Sequence, residues 1–312
     1  MTAIIIYKIE TFVILMLLGV LTAKMGVLKQ EKLNVLSGFL VKITFPCLGF
    51  ALIYDAKVTF GDLVWNWKFV IAELLLSAFL LILGLVTGRI FRLPEKTRQI
   101  HVIQTMFGNQ GFMNIPILLS LFVNGEAGAY IALFTLIDQL LLWSLGVVIM
   151  SSSDEENPGI FTTNTIKKIL NPMNICMIVA VVFTSLHIQL PEVIATTVTS
   201  VGNTSFSLAL IFLGATLSYV SLRDFSYAYD YIFLVVGKML IVPVAAAKIA
   251  ACFLTPVETT IITLMAAMPA MSAIPMMAEN YKSDAAFASK TVLVMTACSV
   301  ITIPMVFWII GL

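Results

Sequence analysis

The sequence predicts an all-α polytopic membrane protein, with ten transmembrane helices arranged as two inverted repeats of five. Three observations lead to this prediction: the hydropathy, the distribution of basic residues, and matched interruptions in two apolar segments. The 312 residues are 60% hydrophobic and 11% charged, and the mean hydropathy is +1.03. A soluble domain carries roughly 25% charged residues. The composition therefore indicates a chain that lies mostly in the bilayer.

Ten apolar segments are long enough, at about 20 residues each, to cross a bilayer as helices. Their predicted limits are residues 3–23, 34–53, 66–88, 99–122, 127–150, 168–188, 196–219, 229–253, 257–281 and 287–310. We expect the first segment to be a permanent span. Its basic flank follows it, whereas the basic flank of a cleaved signal peptide comes first.

Basic residues predict how these spans are oriented. Of the 18 Lys and Arg side chains, twelve lie in connections on one side of the predicted spans, three on the other side and three within spans. Lys and Arg concentrate in cytoplasmic loops, so this bias predicts that both termini lie outside the cell membrane.

The longest connection, residues 151–165, predicts how the chain is divided. It separates a first repeat at residues 1–150 from a second repeat at 168–312, with a cytoplasmic linker at 151–167. Each half has an odd number of spans, so the second half enters the membrane with the opposite orientation.

Spans four and nine are interrupted at matching places. Span four contains "FGNQGFMNIP", residues 107–116, and span nine contains "AAMPAMSAIP", residues 266–275. Placing Pro116 on Pro275 gives an offset of 159 residues, close to half the chain. Paired Gly/Pro interruptions in two halves of a membrane protein indicate a substrate site between them.

Broken backbone at membrane depth persists only where it lines protein or a water-filled cavity. Helix N-termini at such breaks favour an anion, and a carboxylate in particular. The candidate substrate-binding residues are therefore the polar and helix-breaking ones: Asn109, Gln110, Gly111, Asn114 and Pro116 in span four, and Pro269 and Pro275 in span nine. Met268 is added because it lies beside Pro269.

The same offset relates span two to span seven. It adds Thr44 and Pro46, within "LVKITFP", and Asn203 and Thr204, within "GNTSFS", as residues expected to face the same point. A proline kink together with a contact between small residues explains these positions equally well, and the sequence leaves both interpretations open.

Three charged residues lie near the middle of predicted spans: Lys42, Asp138 and Lys238. Charges at this depth are unfavourable in lipid and are functional hypotheses by default. Asp138 either titrates during a transport cycle or pairs with one of the two lysines as a structural bridge. Glu73 lies nearer a span end, so we expect it to reach the interface.

Several function classes lack a signature in the sequence. The four cysteines show no metal-ligand spacing, so neither a metal site nor a disulfide is expected. No nucleophile constellation, P-loop or cofactor motif is present, so we expect neither an enzyme nor a cofactor. The net charge of +1 provides no basic surface for nucleic acid.

Four motifs together resemble the auxin efflux carrier family. They are "FGNQGFMNIPILLSLF" in span four, "DQLLLWSLGV" in span five, "ILNPMNI" opening span six and "AAMPAMSAIPMMAENY" in span nine. The resemblance covers essentially the whole chain. The family includes plant carriers and bacterial malate or malonate permease-like proteins, and the short central loop is similar to that of the bacterial members.

This resemblance implies an NhaA-like fold in which spans four and nine cross at their prolines. Spans 1, 2, 6 and 7 would form a dimerising scaffold, and spans 3–5 and 8–10 a transport domain that moves in an elevator-type cycle. The substrate would be a small carboxylate such as malate, malonate or an auxin-like acid, moved by a secondary transporter with a proton or sodium as possible coupling ion. Asp138 and Gln139 would form the span-five wall of its site.

Two alternatives stay open on the sequence alone. A sodium/proton antiporter of the same fold would favour adjacent acidic residues at the crossover, where the sequence has amides. A non-transporting receptor or structural membrane protein would gain nothing from two matched polar interruptions.

Overall fold

The computed structural model describes residues 2–122, 127–150, 170–219 and 228–311. Within these ranges the chain consists of helices, turns and one isolated β-bridge. The predicted linker, residues 151–167, lies outside the described residues.

We number the described helices α1–α13 in chain order. They are α1 Thr2–Lys24, α2 Gln30–Asp55, α3 Phe60–Trp65, α4 Trp67–Ile90, α5 Glu95–Met106, α6 residues 110–121, α7 Gly128–Met150, α8 Pro172–Ser185, α9 Glu192–Ser218, α10 Ala228–Ala250, α11 Pro256–Ala267, α12 Ile274–Asn280 and α13 Ala285–Ile310. Six of them, α2, α4, α7, α9, α10 and α13, are long and apolar enough to cross a membrane.

The helices coincide with the predicted apolar segments. Eight segments correspond to one helix each, and spans four and nine each correspond to two, α5 with α6 and α11 with α12. Helix α3 lies in a predicted connection. It begins at a capping box, in which Thr59 and Asp62 bind each other's backbone N–H groups.

Wide π turns precede three of the prolines inside the helices. The turns cover Leu40–Thr44, Gln110–Asn114 and Phe233–Ile241, and they are followed by Pro46, Pro116 and Pro243. A proline lacks an N–H group, and its ring clashes with the carbonyl four residues earlier. That carbonyl lies in the π turn in each case, so the wider turn accommodates the ring without ending the helix.

Helices α1 and α9 approach each other closely through glycine. A Cβ atom added at Gly19 would lie 2.1 Å from the carbonyl oxygen of Ile211, and one added at Gly214 would lie 1.9 Å from that of Met16. Small residues permit this kind of backbone contact between membrane helices. Helix α9 also packs along α2, and α2 packs along α8.

The remaining long helices pack mainly among themselves. Helix α4 lies along α5, α10 lies along α11, and α13 contacts both α10 and α12. Helix α12 also reaches α2, where the hydroxyl of Ser37 donates to the carbonyl of Met276 at 2.6 Å. This packing places the two interrupted segments in the interior.

Candidate functional site

The two breaks in the helices bind each other through their backbones. We call residues 107–109, between α5 and α6, the first break, and residues 268–273, between α11 and α12, the second break. The N–H of Asn109 donates to the carbonyl of Pro269 at 2.7 Å, and the N–H of Met271 donates to that of Phe107 at 3.3 Å. The result is an antiparallel bridge between Gly108 and Ala270. The pairing satisfies backbone groups that lipid would leave without partners.

The first glycine of the motif makes this approach possible. A Cβ atom at Gly108 would lie 2.8 Å from the Cβ of Met268 and 2.9 Å from Nε2 of Gln110. Both distances are shorter than a carbon atom tolerates, and the Cβ of Met268 is fixed to the backbone. Only glycine therefore fits between the two breaks at this point.

Gln110 connects the first break to the end of α11. Its Nε2 donates to the carbonyl of Met265 at 3.1 Å, and its Oε1 accepts from Nδ2 of Asn114 at 2.8 Å. A backbone carbonyl can only accept, so it fixes which end of each amide is nitrogen and which is oxygen. As a result, Oδ1 of Asn114 is left over as an acceptor.

Several polar atoms of the two breaks and of the π turn that opens α6 have no hydrogen-bond partner among the described residues. They are Nδ2 and Oδ1 of Asn109, Oδ1 of Asn114 and Oγ of Ser272, and all three side chains are buried. Leaving one such group unpaired is unfavourable by roughly 1–3 kcal/mol, and native proteins contain few of them. A water molecule or a polar ligand could satisfy these atoms.

Open space lies beside the first turn of α6. A Cβ atom added at Gly111 would meet no atom of the described residues within 4 Å, and Gly111 is partly exposed. The first N–H groups of a helix have no partner within the helix. A ligand can therefore approach the backbone at Gly111 without displacing a side chain.

A group of buried charges lies next to the second break. Lys238, in the π turn of α10, is fully buried and donates from Nζ to the carbonyl of Met268, the residue that follows the last turn of α11. Asp138 on α7 is close enough to Lys238 for their charges to interact. Glu73 on α4 is also fully buried, and it is close enough to Asp138 for the two carboxylates to repel each other when both are charged.

Two expectations about charged residues are wrong. Glu73 does not reach the interface, because it lies nearly two turns inside α4 on the side that faces α7, and its side chain is short. Lys42 is not in the interior, because it lies on the outer side of α2 and is exposed. Of the two lysines proposed as partners of Asp138, the structure brings Lys238 to it.

The residues predicted from spans two and seven are only partly brought into the interior. Thr44 and Pro46 are buried, and the hydroxyl of Thr44 donates to the carbonyl of Leu40 at 3.3 Å. Asn203 and Thr204 are exposed, which contradicts the expectation that they face inward. The helical rotation turns the next residue, Ser205, into the interior, where its Oγ has no described partner.

The other predicted site residues lie at or near the breaks. Pro269 and Pro275 are buried in the second break and in the first turn of α12. Gln139 is buried, and its Oε1 accepts from Nε1 of Trp143 at 3.2 Å. Pro116 occupies the second position of the α-helical part of α6, and its side chain lies outside the described part of the chain.

Sequence reasoning missed a buried contact between a histidine and a carboxylate. Nδ1 of His101 on α5 lies against Oδ1 of Asp230 on α10, and Nε2 of His101 lies 2.7 Å from the hydroxyl of Thr87 on α4. No sequence signal relates residues this far apart. Sequence reasoning also missed Ser272, although it lies within the quoted motif of span nine.

In the described ranges, no group of three or more His, Cys, Asp and Glu could hold a metal ion.

Comparison with known proteins agrees with the sequence motifs. A family described as "Membrane transport protein" matches residues 4–309. An uncharacterized transporter of Methanocaldococcus jannaschii is 30% identical over 122 residues, a stretch that covers 39% of this chain and 39% of that relative. The family match extends over nearly the whole chain, whereas the match to this relative spans well under half its length.

Proposed function

Because the chain belongs to the membrane transport protein family, to which the auxin efflux carriers belong, we propose that it is a secondary carrier of small organic anions. The observation that carries this proposal is the set of unpaired polar atoms at the two breaks. These atoms lie where two interrupted helices meet, beside open space at Gly111.

In the proposed binding mode, a carboxylate accepts hydrogen bonds from Nδ2 of Asn109 and from the hydroxyl of Ser272. First-turn N–H groups of α6 near Gly111 add partial positive charge. Lys238 does not contact the anion in this mode. It remains hydrogen-bonded to the carbonyl of Met268, and its positive charge makes the electrostatic potential at the second break more favourable for an anion. The backbone that carries these donors is fixed by the pairing of the two breaks before the anion arrives, which lowers the entropy lost on binding.

We further propose that two bodies of the protein move against each other in an elevator-type cycle. Helices α1, α2, α8 and α9 would form the scaffold, and α4–α7 with α10–α13 would form the transport domain. This division follows the packing, since α9 lies along α1 and α2 while α10 lies along α11. The ten-span inverted repeat, the outer location of both termini and a dimeric scaffold belong to the same proposal.

A sodium/proton antiporter is the second candidate, and one observation favours it. Glu73 and Asp138 form a pair of buried, interacting carboxylates. Carboxylates at this depth are suited to bind a proton or a small cation. The two candidates differ in the ligand that the folded protein recognises, so binding measurements separate them.

Thermal unfolding of the purified protein tests the proposal. A ligand that binds only the folded state at a hundred times its Kd stabilises it by about 2.7 kcal/mol. Malate, malonate, succinate and indole acetate would be added separately, with a neutral amide, sodium chloride and a pH series as comparisons. We expect at least one carboxylate to raise the melting temperature.

The matched variants are Asn109→Ala and Asn203→Ala. The first removes an amide at the break, and the second removes an exposed amide on α9. We expect the carboxylate effect to vanish in Asn109→Ala and to persist in Asn203→Ala, at similar folded yields. An unchanged effect in Asn109→Ala would exclude the site, and a response to sodium or pH alone would favour the antiporter.

A further inference from the structure

We propose that a groove between α4 and α10 binds one acyl chain of an anionic phospholipid, with the lipid phosphate at Lys68. The residues that line this groove are different from those of the two breaks, so the inference is independent of the proposed anion site. It follows from the apolar lining of the groove, from its length and from the position of one lysine.

The groove is large enough for a lipid chain. Its volume is about 860 Å³, within the range of roughly 300–1,000 Å³ that is typical of small-molecule sites. Helices α4 and α10 both pack against α11, and Ile262 of α11 lines the space between them. Among the described residues that line the groove, Lys68 is the one with a charged side chain.

Each of the two helices forms a wall of the groove with a single face. The lining residues of α4 recur at the helical spacing of three and four, and they are Lys68, Ile71, Ala72, Leu75, Leu76 and Phe79. Helix α10 and the turn after it repeat this spacing with Val242, Ala245, Ala246, Ile249, Ala250 and Phe253. The small alanine side chains in both walls leave the space between the helices open.

The length of the groove matches one leaflet of a bilayer. Its wall on α4 extends from Lys68, in the first turn, to Phe79, near the middle of the helix. At about 1.5 Å per residue this distance is about 16 Å. Half of a hydrocarbon core that is about 30 Å thick is about 15 Å. An acyl chain of one leaflet therefore fits along the groove from end to middle.

The chemistry of a membrane interface is present where α4 begins. Lys68 is exposed, and its Nζ lies 5.9 Å from the centroid of the Trp67 ring. Tryptophan is enriched at membrane–water interfaces, and lysine there attracts anionic headgroups. In the part of the chain that the structure describes, no carboxylate forms a salt bridge with Lys68. The carboxylate of Asp62, which precedes α4, is already bound in the capping box with Thr59.

A phospholipid provides the two groups that the groove requires, in the right order along the membrane normal. Its phosphate meets the ammonium of Lys68, and its chain covers exposed apolar side chains such as Leu75 and Phe79. A second copy of the chain would have to place a carboxylate at the same depth as Lys68. One lysine favours an anionic lipid surface by a factor of about five. We therefore expect a preference of about fivefold for an anionic lipid over a zwitterionic one with the same chains.

Native mass spectrometry of the purified protein tests the proposal. Phosphatidylglycerol and phosphatidylcholine with identical oleoyl chains would be added in equal amounts. We expect the protein to retain one lipid molecule, and to retain phosphatidylglycerol about five times as often as phosphatidylcholine. Equal retention of the two lipids, or retention of neither, would overturn the proposal and leave the proposed carrier function unaffected.

Two pairs of variants locate the lipid. Lys68→Gln should bring the ratio of the two lipids close to one, whereas Lys248→Gln should keep it, because Lys248 is exposed in the last turn of α10 and does not line the groove. Ala245→Phe fills the groove and should reduce retention of both lipids several-fold. Ala251→Phe, at an exposed position that does not line the groove, is its control.

Melting temperatures of the four variants would be measured alongside, so that a loss of lipid is compared only between folded proteins. Unchanged retention in Ala245→Phe, or an unchanged ratio in Lys68→Gln, would overturn the assignment of the groove. A dimer that dissociates in Ala245→Phe would also overturn it, because the groove would then bind a second copy of the chain.

Discussion

Gly108 and Gly111 belong to one motif but differ in the space around them, and single substitutions at the two positions should therefore have different effects. Gly108 has no room for a Cβ atom, whereas Gly111 has open space beside it. We expect Gly108→Ala to lower the melting temperature, because the added atom forces the two breaks apart. Gly111→Leu should be at least as stable as the wild type and should lose carboxylate binding, because its side chain occupies the proposed site.

Thermal unfolding and ligand titration of the two variants check this pair of outcomes. Gly111→Ala provides a milder change and should stabilise the helix by roughly 0.5–1 kcal/mol. Gly38→Ala is the control, since an added Cβ at Gly38 on α2 also meets none of the described residues within 4 Å. A Gly108→Ala protein as stable as the wild type would show that the breaks do not approach each other as described.

At the scale of helices, the buried Lys238 links α10 to the second break through its hydrogen bond to the carbonyl of Met268. Lys238→Met removes the donor to the Met268 carbonyl and leaves Asp138 without its nearest positive charge. Removing one of two interacting buried charges leaves the other without compensation, which destabilises a protein by several kcal/mol at most, roughly 3–5 kcal/mol for a directly bonded pair. We expect a clear fall in melting temperature, part of which returns when Asp138→Asn is added.

Thermal unfolding of the single and double variants measures this coupling. Lys248→Met, on the exposed side of the same helix, should leave the melting temperature close to that of the wild type. If the effects of Lys238→Met and Asp138→Asn simply add, the two side chains do not act as a pair.

Sequence reasoning predicted the helices more fully than it predicted which side chains meet. Hydropathy and proline mark segments locally, so the helices and the interruptions at residues 107–116 and 266–275 could be placed. The rotation of each helix is not marked in this way. Lys42, Asn203 and Thr204 were expected inside and are exposed, while Glu73 and Ser205 are buried.

Contacts between distant elements could not be predicted from the sequence for a further reason. The contact of His101 with Asp230 depends on how α5 and α10 pack, and neither residue carries a local signal of it. The bonds between the two breaks also depend on tertiary packing. The sequence could indicate that both segments are broken, but the partners of Asn109 and Met271 required the structure.

At the scale of the whole molecule, the proposed movement should be stopped by a covalent link between the two bodies. Ser37 on α2 contacts the backbone of Met276 on α12, across the proposed boundary. Cysteines at both positions would be introduced after the four native cysteines are replaced by alanine. We expect oxidation to abolish carboxylate transport in proteoliposomes and reduction to restore it, because a linked transport domain cannot move.

Single-cysteine variants under the same oxidant provide the control for this experiment. They should transport as well as the cysteine-free protein before and after treatment. Full transport by the cross-linked pair would exclude a relative movement of α2 and α12.

Charge movement in proteoliposomes on a solid-supported membrane tests the central claim most directly. Concentration jumps of carboxylates would be applied to the wild type and to Gly111→Leu, followed by jumps of sodium and pH alone. We expect carboxylate currents in the wild type and none in Gly111→Leu, at equal amounts of folded protein. Carboxylate currents of equal size in both proteins, or currents from sodium or pH jumps alone, would contradict an organic-anion site at the two breaks.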